Sequence, residues 1–428
     1  MKAYLAYKES GVEWIGNLPS HWGAVRIKHT DEVIMGQSPS SNDYNQEQIG
    51  LPFLQGNADF TNLYPIPRIW CDTANKTSQK DDILLSVRAP VGAINIADQD
   101  YGIGRGLCAI RAKDSVSKLI FYCLSAAHEE LNSIGTGSTY TAISADDVKN
   151  TYLPHPPLPE QQAIADFLDR KTAQIDTLIK KKQRQIKLLQ EQRTALINQA
   201  VTKGLDPTVP MKDAGIEWLG EIPIGWEVIT LKYLVAVKIT DGPHETPEFV
   251  DNGIPFVSAE AVQNGKVNFN SRRGNITREQ HEEYSKKCLA QRDDIFLVKS
   301  GATTGKLAYV DTDLEFGIWS PLALIRAKRD LMLSKLLFLS LGSSYFQSQI
   351  QTSWSYGTQP NIGMKVIENL KVVIPPVEEQ RSLLNKLETA LEKFNPLIEK
   401  AQKQIELLQE YRTALISAAV TGKIYVRE

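Results

Sequence analysis

The stretch "GATTGKL" at residues 301–307 has the composition of a phosphate-binding loop but not its spacing. Such a loop needs four residues between its glycines and a Ser or Thr after the lysine, because the backbone cradles phosphates and the hydroxyl holds magnesium. Here three residues separate the glycines, and Leu307 follows Lys306. "GIGRG" (102–106) likewise lacks the spacing of a dinucleotide-binding turn. We therefore expect a strand-connecting turn at 301–307 and no nucleotide site.

Side chains that commonly perform catalysis or bind metals are scattered along the chain. The six histidines form no HExxH pattern, and no Asn-Pro-Pro-aromatic tetrapeptide of the kind used by amino-methyltransferases occurs. The four cysteines, Cys71, Cys108, Cys123 and Cys288, include no CxxC pair, which indicates reduced, buried thiols rather than a zinc site. A Ser/His/Asp triad needs no adjacency in sequence, but nothing points to one. We expect no catalytic residue, metal or cofactor in this chain.

The overall charge argues weakly against a nucleic-acid partner. The 428 residues carry 48 basic and 50 acidic side chains, a formal charge of −2, whereas stand-alone DNA-binding domains are plainly basic. Only the segment 157–205 is net positive. The chain has no apolar run of the roughly 20 residues that a membrane span needs, and its first residues lack an apolar signal core, so we expect a cytoplasmic protein.

The chain repeats itself. "LLQEQRTALINQAVT" at residues 188–202 returns as "LLQEYRTALISAAVT" at 407–421, an offset of 219 positions. "PPLPEQQ" (156–162) aligns with "PPVEEQR" (375–381) at the same offset, and "GVEWIGNLPSHW" (11–22) returns as "GIEWLGEIPIGW" (215–226). A period this long indicates duplicated domains, since solenoids and propellers repeat every 20–50 residues. The order is module, helix, module, helix.

Each copy of the repeat predicts one long amphipathic helix. Apolar residues recur every three or four positions after Pro159 in the first copy and after residue 381 in the second. Prolines before Glu160 mark a start, while Gly204 and Gly422 mark the ends. About 44 residues make a helix of roughly 65 Å. Pro396 should interrupt the second helix near Phe394.

A helix with one apolar stripe needs a partner in water. Each helix could pack on its own module, but near-identical seams favour pairing of the two helices about a pseudo-twofold axis. The polar faces recur as well, which indicates two equivalent docking surfaces for two copies of another subunit. The candidate partner-binding residues are Gln190, Glu191, Arg193, Thr194, Gln409, Glu410, Arg412 and Thr413.

The modules between the helices combine short strand-like runs with Gly, Asn and Asp turns, typical of a mixed α+β domain. "DDILLSVR" (81–88) matches "DDIFLVKS" (293–300), and "LCAIRAK" (107–113) matches "LALIRAK" (322–328), while the segments between them diverge. Matching strands with different loops between them are expected of two related domains that recognise two different targets. The expected domains are residues 1–156, 157–205, 206–374 and 375–428.

These residues resemble the specificity subunit of type I restriction–modification systems over essentially the whole chain. The resemblance rests on "ESGVEWIGNLPSHW", "DAGIEWLGEIPIGW", "TDGPHETPEF" (240–249) and the helical stretch 156–207. It implies an α+β fold in which two target-recognition domains are joined by two long helices, paired as an antiparallel coiled coil with pseudo-twofold symmetry. Each domain would read half of a split DNA site, with the halves about one helical turn apart.

The resemblance also implies the partners. These are double-stranded DNA, two methyltransferase subunits, and two restriction/translocase subunits when present. S-adenosylmethionine, ATP and magnesium would belong to those subunits. Methyltransferase subunits that clamp the duplex would supply much of the phosphate neutralisation, which explains a recognition subunit without net positive charge.

Candidate DNA contacts are polar or basic residues on loops, although each one alone could equally be a solvated surface side chain. In the first module they are Asn75, Lys76, Thr77, Ser78, Gln79, Lys80, Arg88, Arg105, Gly137, Ser138, Thr139 and Tyr140. In the second they are Asp241, His244, Arg272, Arg273, Lys299, Lys306, Tyr356, Gly357, Thr358 and Gln359. Trp14, Trp22, Trp218 and Trp226 are expected to pack in the core or against the helices rather than to stack on bases.

Two other functions stay open at this stage. One is a DNA enzyme with an active site hidden in the divergent loops, and the other is a coiled-coil adaptor without DNA readout. Activity of the isolated chain on DNA would indicate the first. Unchanged DNA modification after an exchange of the second module's loops would indicate the adaptor.

Overall fold

The computed structural model describes residues 3–40, 43–134, 142–217, 219–356 and 360–426. Its contacts divide the chain into two compact units, Met1–Gln183 with Gln402–Glu428 (unit 1) and Arg184–Ala401 (unit 2). Both divisions fall inside helices, so each unit holds one module together with a segment of each helical repeat.

The elements of the first module and the helix that follows it are β1 (Tyr7–Glu9), β2 (Asn17–Pro19), β3 (Gly23–Arg26), α1 (Ile27–Thr30), β4 (Asp31–Met35), β5 (Tyr44–Asn45), β6 (Leu51–Leu54), β7 (Ile69–Cys71), β8 (Thr77–Ser78), β9 (Ile83–Ser86), β10 (Ile94–Ile96), β11 (Tyr101–Ile103), β12 (Leu107–Ala112), α2 (Ser117–Ala126), α3 (His128–Ile134), α4 (Ala145–Asn150), β13 (Tyr152–His155) and α5 (Leu158–Lys203).

The second half contains β14 (Met211–Asp213), β15 (Glu221–Pro223), β16 (Glu227–Thr230), β17 (Thr240–Asp241), β18 (Ile254–Val257), β19 (Val262–Gln263), β20 (Lys266–Val267), β21 (Gly274–Ile276), α6 (Arg278–Ser285), β22 (Ile295–Val298), β23 (Leu307–Tyr309), β24 (Gly317–Ile318), β25 (Leu322–Ile325), α7 (Ser334–Leu341), α8 (Ser344–Thr352), β26 (Ser355–Tyr356), β27 (Pro360–Asn361), α9 (Met364–Asn369), β28 (Lys371–Ile374), α10 (Val377–Leu391) and α11 (Phe394–Val420).

The two modules share a frame of sheets. In unit 1 a four-stranded sheet has the order β10-β9-β12-β4, and a five-stranded sheet has the order β5-β7-β6-β11-β8. In unit 2 the larger sheet runs β17-β25-β22-β23-β20-β19, and a smaller one runs β21-β18-β24. Strands β9 and β22 are buried along their whole length, which explains why they read as continuous apolar runs. The predicted α+β modules with a repeated frame are confirmed.

The helical repeats differ in continuity as the sequence predicts. Helix α5 has 46 residues and ends before Gly204, whose φ of +73° glycine adopts readily. In the second copy α10 ends at Leu391 and α11 begins at Phe394, so the chain restarts the helix just before Pro396. Proline is tolerated in a first turn, where its missing N–H would have no partner. Gly422, with φ of +68°, follows the end of α11.

Within unit 1 the helical segments pack antiparallel to each other and on the module. Leu168 and Ile175 of α5 share one buried cluster with Leu415 and Ala419 of α11 and with module residues. The start of α5 lies at the level of the end of α11, and Asp176, further along α5, contacts Arg412, earlier in α11. Helix pairing, the favoured expectation, therefore occurs together with packing on the module.

Unit 2 repeats this arrangement. Ile197 and Ala200 near the end of α5 share a buried cluster with Leu383 and Leu387 of α10 and with module residues. The end of α5 thus meets the beginning of the second helical repeat.

A tryptophan joins each module to its helix. The indole N–H of Trp22 donates to Glu160 at 2.9 Å, and that of Trp226 donates to Glu379 at 3.0 Å. Burial acts to raise the pKa of Glu160, but hydrogen bonds from Trp22, His21 and a tyrosine outweigh it and lower the pKa. Both tryptophans are buried, as the sequence predicts for module–helix packing. Trp14 packs half-buried against the core of unit 1, and Trp218 lies outside the described residues.

A further junction contact occurs in both units, made by glutamines that are 219 positions apart. The buried Gln161 accepts a hydrogen bond from the N–H of Val116 before α2, and the buried Gln380 accepts one from the N–H of Leu333 before α7. Each glutamine satisfies an N–H group that the helix leaves without a partner. These roles explain why "PEQQ" and "EEQR" recur.

The four cysteines are buried and free, as predicted. Burial raises the pKa of the Cys108 and Cys288 thiols to about 12, so neither is an activated nucleophile. Within the described ranges, no helix combines the length and the apolar character needed to cross a bilayer.

Candidate nucleic-acid interface

In unit 1, three of the predicted cationic contacts lie around one turn, residues 104–106. The carbonyl of Lys76 accepts a hydrogen bond of 2.9 Å from the strand that leads into the turn, and the residue before Arg88 donates to Gly106 at 3.0 Å. Lys76, Arg88 and Arg105 are all exposed. Strand pairing thus collects three positive charges from separate parts of the sequence, an arrangement suited to phosphates and base edges.

The other candidates of the first module differ in exposure. Asn75, Gln79 and Lys80 are exposed, Thr77 is half-buried, and Ser78 is buried. Because successive side chains of a strand point to opposite faces of the sheet, the Ser78 side chain of β8 lies on the buried face. The prediction that Ser78 contacts DNA through an exposed side chain is therefore wrong.

In unit 2 the carboxylate of Asp241 contacts two lysines and a histidine. It lies 2.6 Å from Lys287 Nζ, 3.3 Å from Lys299 Nζ and 3.0 Å from His244 Nε2. Burial acts to raise the pKa of Asp241, but the hydrogen bond and charge of Lys287, together with Lys299, outweigh it and lower the pKa. Asp241 is therefore a buried anion that holds neighbouring cations, and its own carboxylate is withdrawn from solvent.

A second turn, residues 319–321, adjoins this cluster. The N–H of Lys299 donates to a carbonyl of the turn at 2.8 Å. The guanidinium of Arg273 lies 5.4 Å from the ring centroid of Trp319, and its Nη1 lies 3.2 Å from Glu260. The pairing of strands therefore brings Lys299, Asp241 and Arg273 toward one turn in unit 2, as it does the cations of unit 1.

The remaining basic candidates of the second module are Arg272 and Lys306. Arg272 donates from Nε to the side chain of Asn275 at 2.9 Å and from Nη1 to the Phe269 carbonyl at 3.2 Å. Lys306 follows the turn 301–305 between β22 and β23, which confirms a strand-connecting turn there.

Lys306 and Arg193 line one cavity of about 780 Å³ in unit 2. The sequence assigns them to different roles, DNA contact and partner contact. In unit 1 the residue equivalent to Arg193 is Arg412, which pairs with Asp176 at 3.0 Å. Asn395, which stands at the position equivalent to Asp176, carries no charge and lines the cavity instead.

Gly137, Ser138, Thr139, Tyr140, Gly357, Thr358 and Gln359 lie outside the described residues. Tyr356 belongs to β26, but its side chain lies outside them too.

The repeated helix faces are open to solvent. Gln190, Glu191, Arg193 and Thr194 are exposed, as are Gln409, Glu410 and Thr413, while Arg412 is half-buried by its ion pair. Sequence reasoning missed four exposed leucines on the same helices. Leu178, Leu188, Leu397 and Leu407 are 45%, 42%, 47% and 51% exposed. They form two pairs at the offset of 219, and this repetition is the feature of the sequence that could have indicated them.

Duplicated α+β modules, each with basic side chains gathered near one turn and each packed on paired helical segments, define a class of two-module protein. The family described as "Type I restriction modification DNA specificity domain" matches the chain twice, over residues 19–188 and 223–407. The chain belongs to this family, whose members are non-catalytic DNA-recognition subunits.

Relatives with assigned names are also specificity subunits of type I restriction enzymes. The chain is 27% identical over 434 residues to the MjaIX type I restriction enzyme specificity subunit of Methanocaldococcus jannaschii, covering 97% of this chain and 96% of that one. It is 38% identical over 205 residues to the specificity subunit assigned to MjaX of the same organism, an alignment that spans 47% of each chain. A solved structure described by complex assembly and conformational transition of the type I R-M system matches with a TM-score of 0.72 at 19% identity, covering 95% of this chain and 99% of that chain. This last likeness concerns the fold alone.

Proposed function

We propose that this chain reads a split DNA sequence, one half with each module, and docks two methyltransferase subunits. The observation that carries the proposal is the repeated unit: one frame of strands, one exposed helix face that recurs in sequence, and different side chains at the turns. Restriction/translocase subunits, where present, join through the methyltransferases. S-adenosylmethionine, ATP and magnesium act in those subunits, and the complex works in the cytoplasm.

The turns support DNA readout by their chemistry. Arginine and lysine side chains on exposed turns can contact phosphates and the acceptor edge of guanine. Because sequence divergence concentrates in these turns while the strands match, each module would read a different half-site.

Base-resolution mapping of methylated DNA tests the proposal. Cells that carry the methyltransferase partner are compared with and without this gene. We expect loss of one split motif whose halves are separated by a fixed, unspecified gap. An unchanged methylome, with the partner present and active, would contradict DNA readout by this chain.

The helix faces support the docking of two identical partners. Exposed leucines on the helices that also carry the repeated Gln, Glu and Thr side chains can act as apolar anchors, and protein interfaces combine such an apolar core with a polar rim. The same set occurs once in each unit, with Leu178 and Leu407 in unit 1 and Leu188 and Leu397 in unit 2.

Charge placed on these leucines should remove partners one at a time. Leu188→Glu or Leu407→Glu is expected to reduce the co-purified methyltransferase from two subunits to one, and the double variant to none, because a buried unpaired carboxylate is costly. Native mass spectrometry of the co-purified complex gives the count.

Gln199→Glu is the matched control. Gln199 is exposed on the same helix, roughly 16 Å along it from Leu188, and its counterpart is Ala418, so this position is not part of the repeated face. Two bound methyltransferase subunits on the double leucine variant would place docking elsewhere.

A further inference from the structure

One pair of turns occupies the same place in both modules. In unit 1 the strand β11 pairs in parallel with β6, Ile103 opposite Leu54, and the chain then enters the turn 104–106. In unit 2 β24 pairs in parallel with β18, Ile318 opposite Val257, and the chain enters the turn 319–321. These turns are therefore structural equivalents, although their sequences, Gly-Arg-Gly and Trp-Ser-Pro, differ.

A second segment crosses each turn at a glycine. A Cβ atom on Gly36 would lie 2.1 Å from the Gly104 carbonyl oxygen, and one on Gly242 would lie 1.8 Å from the Ile318 carbonyl oxygen. No other residue fits so close an approach of two backbones. We call residues 36–38 with 104–106 the first reading turns, and 242–244 with 319–321 the second reading turns.

The first reading turns present side chains suited to purines. Gln37 and Arg105 are exposed, and so is Gln55 beside them. Cβ atoms on Gly104 and Gly106 would lie 2.9 Å and 2.7 Å from the backbone of Gln55, so the glycines hold the turn against this residue. Arginine pairs with the O6 and N7 atoms of guanine, and glutamine pairs with N6 and N7 of adenine.

The second reading turns present a different set. His244 is exposed, with 70% of its side chain accessible. The indole N–H of Trp319 donates to the Glu245 carbonyl at 3.1 Å, and this fixed ring supports the guanidinium of Arg273 at 5.4 Å. A guanidinium held over an aromatic face keeps its hydrogen-bond donors at its edge. Nη1 of Arg273 donates to Glu260 at 3.2 Å, so the Nε–Nη2 edge is the one that would face a guanine.

We propose that the reading turns determine the DNA sequence that each module selects. Arg105, with Gln37 and Gln55, contacts purine edges in one half-site, and Arg273, held by Trp319 as a positioning residue, contacts a guanine in the other. The inference rests on the proposed function. It adds Gln37, Gln55 and Trp319 to the residues that the sequence suggests, and it separates base readers from the surrounding cations.

The test is methylome mapping with complexes that contain Arg105→Ala or Arg273→Ala. Each variant should lose guanine preference at one position of one half-site, by about 5- to 150-fold, while the other half-site stays unchanged. Each arginine variant thereby controls for the other. Lys113→Ala and Arg292→Ala remove exposed cations outside the reading turns and should leave the motif unchanged.

Two more variants sharpen the test. Arg105→Gln should move the preference at its position from guanine toward adenine, a change that a misfolded module cannot produce. Trp319→Ala should weaken selection at the Arg273 position alone, whereas a merely structural role would weaken every position of that half-site.

The outcomes separate the two proposals. A wild-type complex without any split motif would overturn the proposed function. A wild-type motif that persists unchanged in the Arg105→Ala and Arg273→Ala complexes would overturn the reading turns while leaving the function in place.

Discussion

Gly242→Ala should detach the Asp241–His244 segment from β24 and abolish DNA methylation that depends on the second module. The new Cβ would lie 1.8 Å from the Ile318 carbonyl oxygen and 2.8 Å from the Trp319 Cα. Both atoms belong to the backbone, so no side-chain rotation relieves the clash. We expect a loss of about 3 kcal/mol in unit 2 stability.

Hydrogen exchange measured by mass spectrometry on the full chain checks this result. Faster exchange is expected in β24 and in residues 240–244, while the strands of unit 1 keep their protection. Loss of methylation at the split motif is the functional readout.

The control is Gly225→Ala in the same unit. Gly225 lies in the turn between β15 and β16, and the nearest atom that a Cβ there would meet is Pro376 Cγ at 3.7 Å, an ordinary van der Waals contact. Its effect should stay within about 0.5 kcal/mol, as for most surface substitutions. Equal exchange rates in the two variants would show that the close backbone contact at Gly242 does not affect the stability of unit 2.

The second large effect concerns a buried ion pair that both modules contain. Asp294 is fully buried and receives Arg326 Nε at 2.7 Å and Nη2 at 2.8 Å, as well as the N–H of Gln291 at 2.8 Å. In unit 1, Asp82 and Arg111 form the same pair, with distances of 3.1 Å and 2.9 Å.

Asp294→Ala should cost about 3–5 kcal/mol, because it leaves the Arg326 guanidinium without its buried partner. In exchange measurements this corresponds to a loss of protection of about 150- to 5,000-fold across β22. Strand β9 of unit 1, whose own ion pair is intact, is the internal reference.

A double variant separates charge from packing. Asp294→Ala with Arg326→Met removes both charges, so it should be less destabilising than Asp294→Ala alone. If the double variant is as unstable as the sum of its single changes, the cost arises from lost volume rather than from an unpaired charge.

Much of the helical framework could be predicted because its signals are local. The spacing of apolar residues, the glycines at 204 and 422, and Pro396 act on backbone only a few residues away. The break between α10 and α11 and the ends of α5 and α11 followed directly. Burial of Trp22 and Trp226 could also be anticipated, since both recur in front of the helices that they join.

The individual contacts of the interface depend on strand pairing between distant segments. The side chains of Ser78 and Asp241 are polar and lie in loop-like sequence, yet pairing buries both. Gln55 and Trp319 carry no motif of their own, and their place beside a second backbone segment depends on glycines that let two backbones touch.

The sequence by itself therefore determined the duplication, the two long helices, the α+β modules and the family. Each of these rests on periodicity or on repetition that is visible along one dimension. Only the tertiary structure decided which loops meet, which carboxylates are buried against cations, and which leucines stay exposed on the helix faces. Those features depend on contacts between residues far apart in the chain, and no local pattern encodes them.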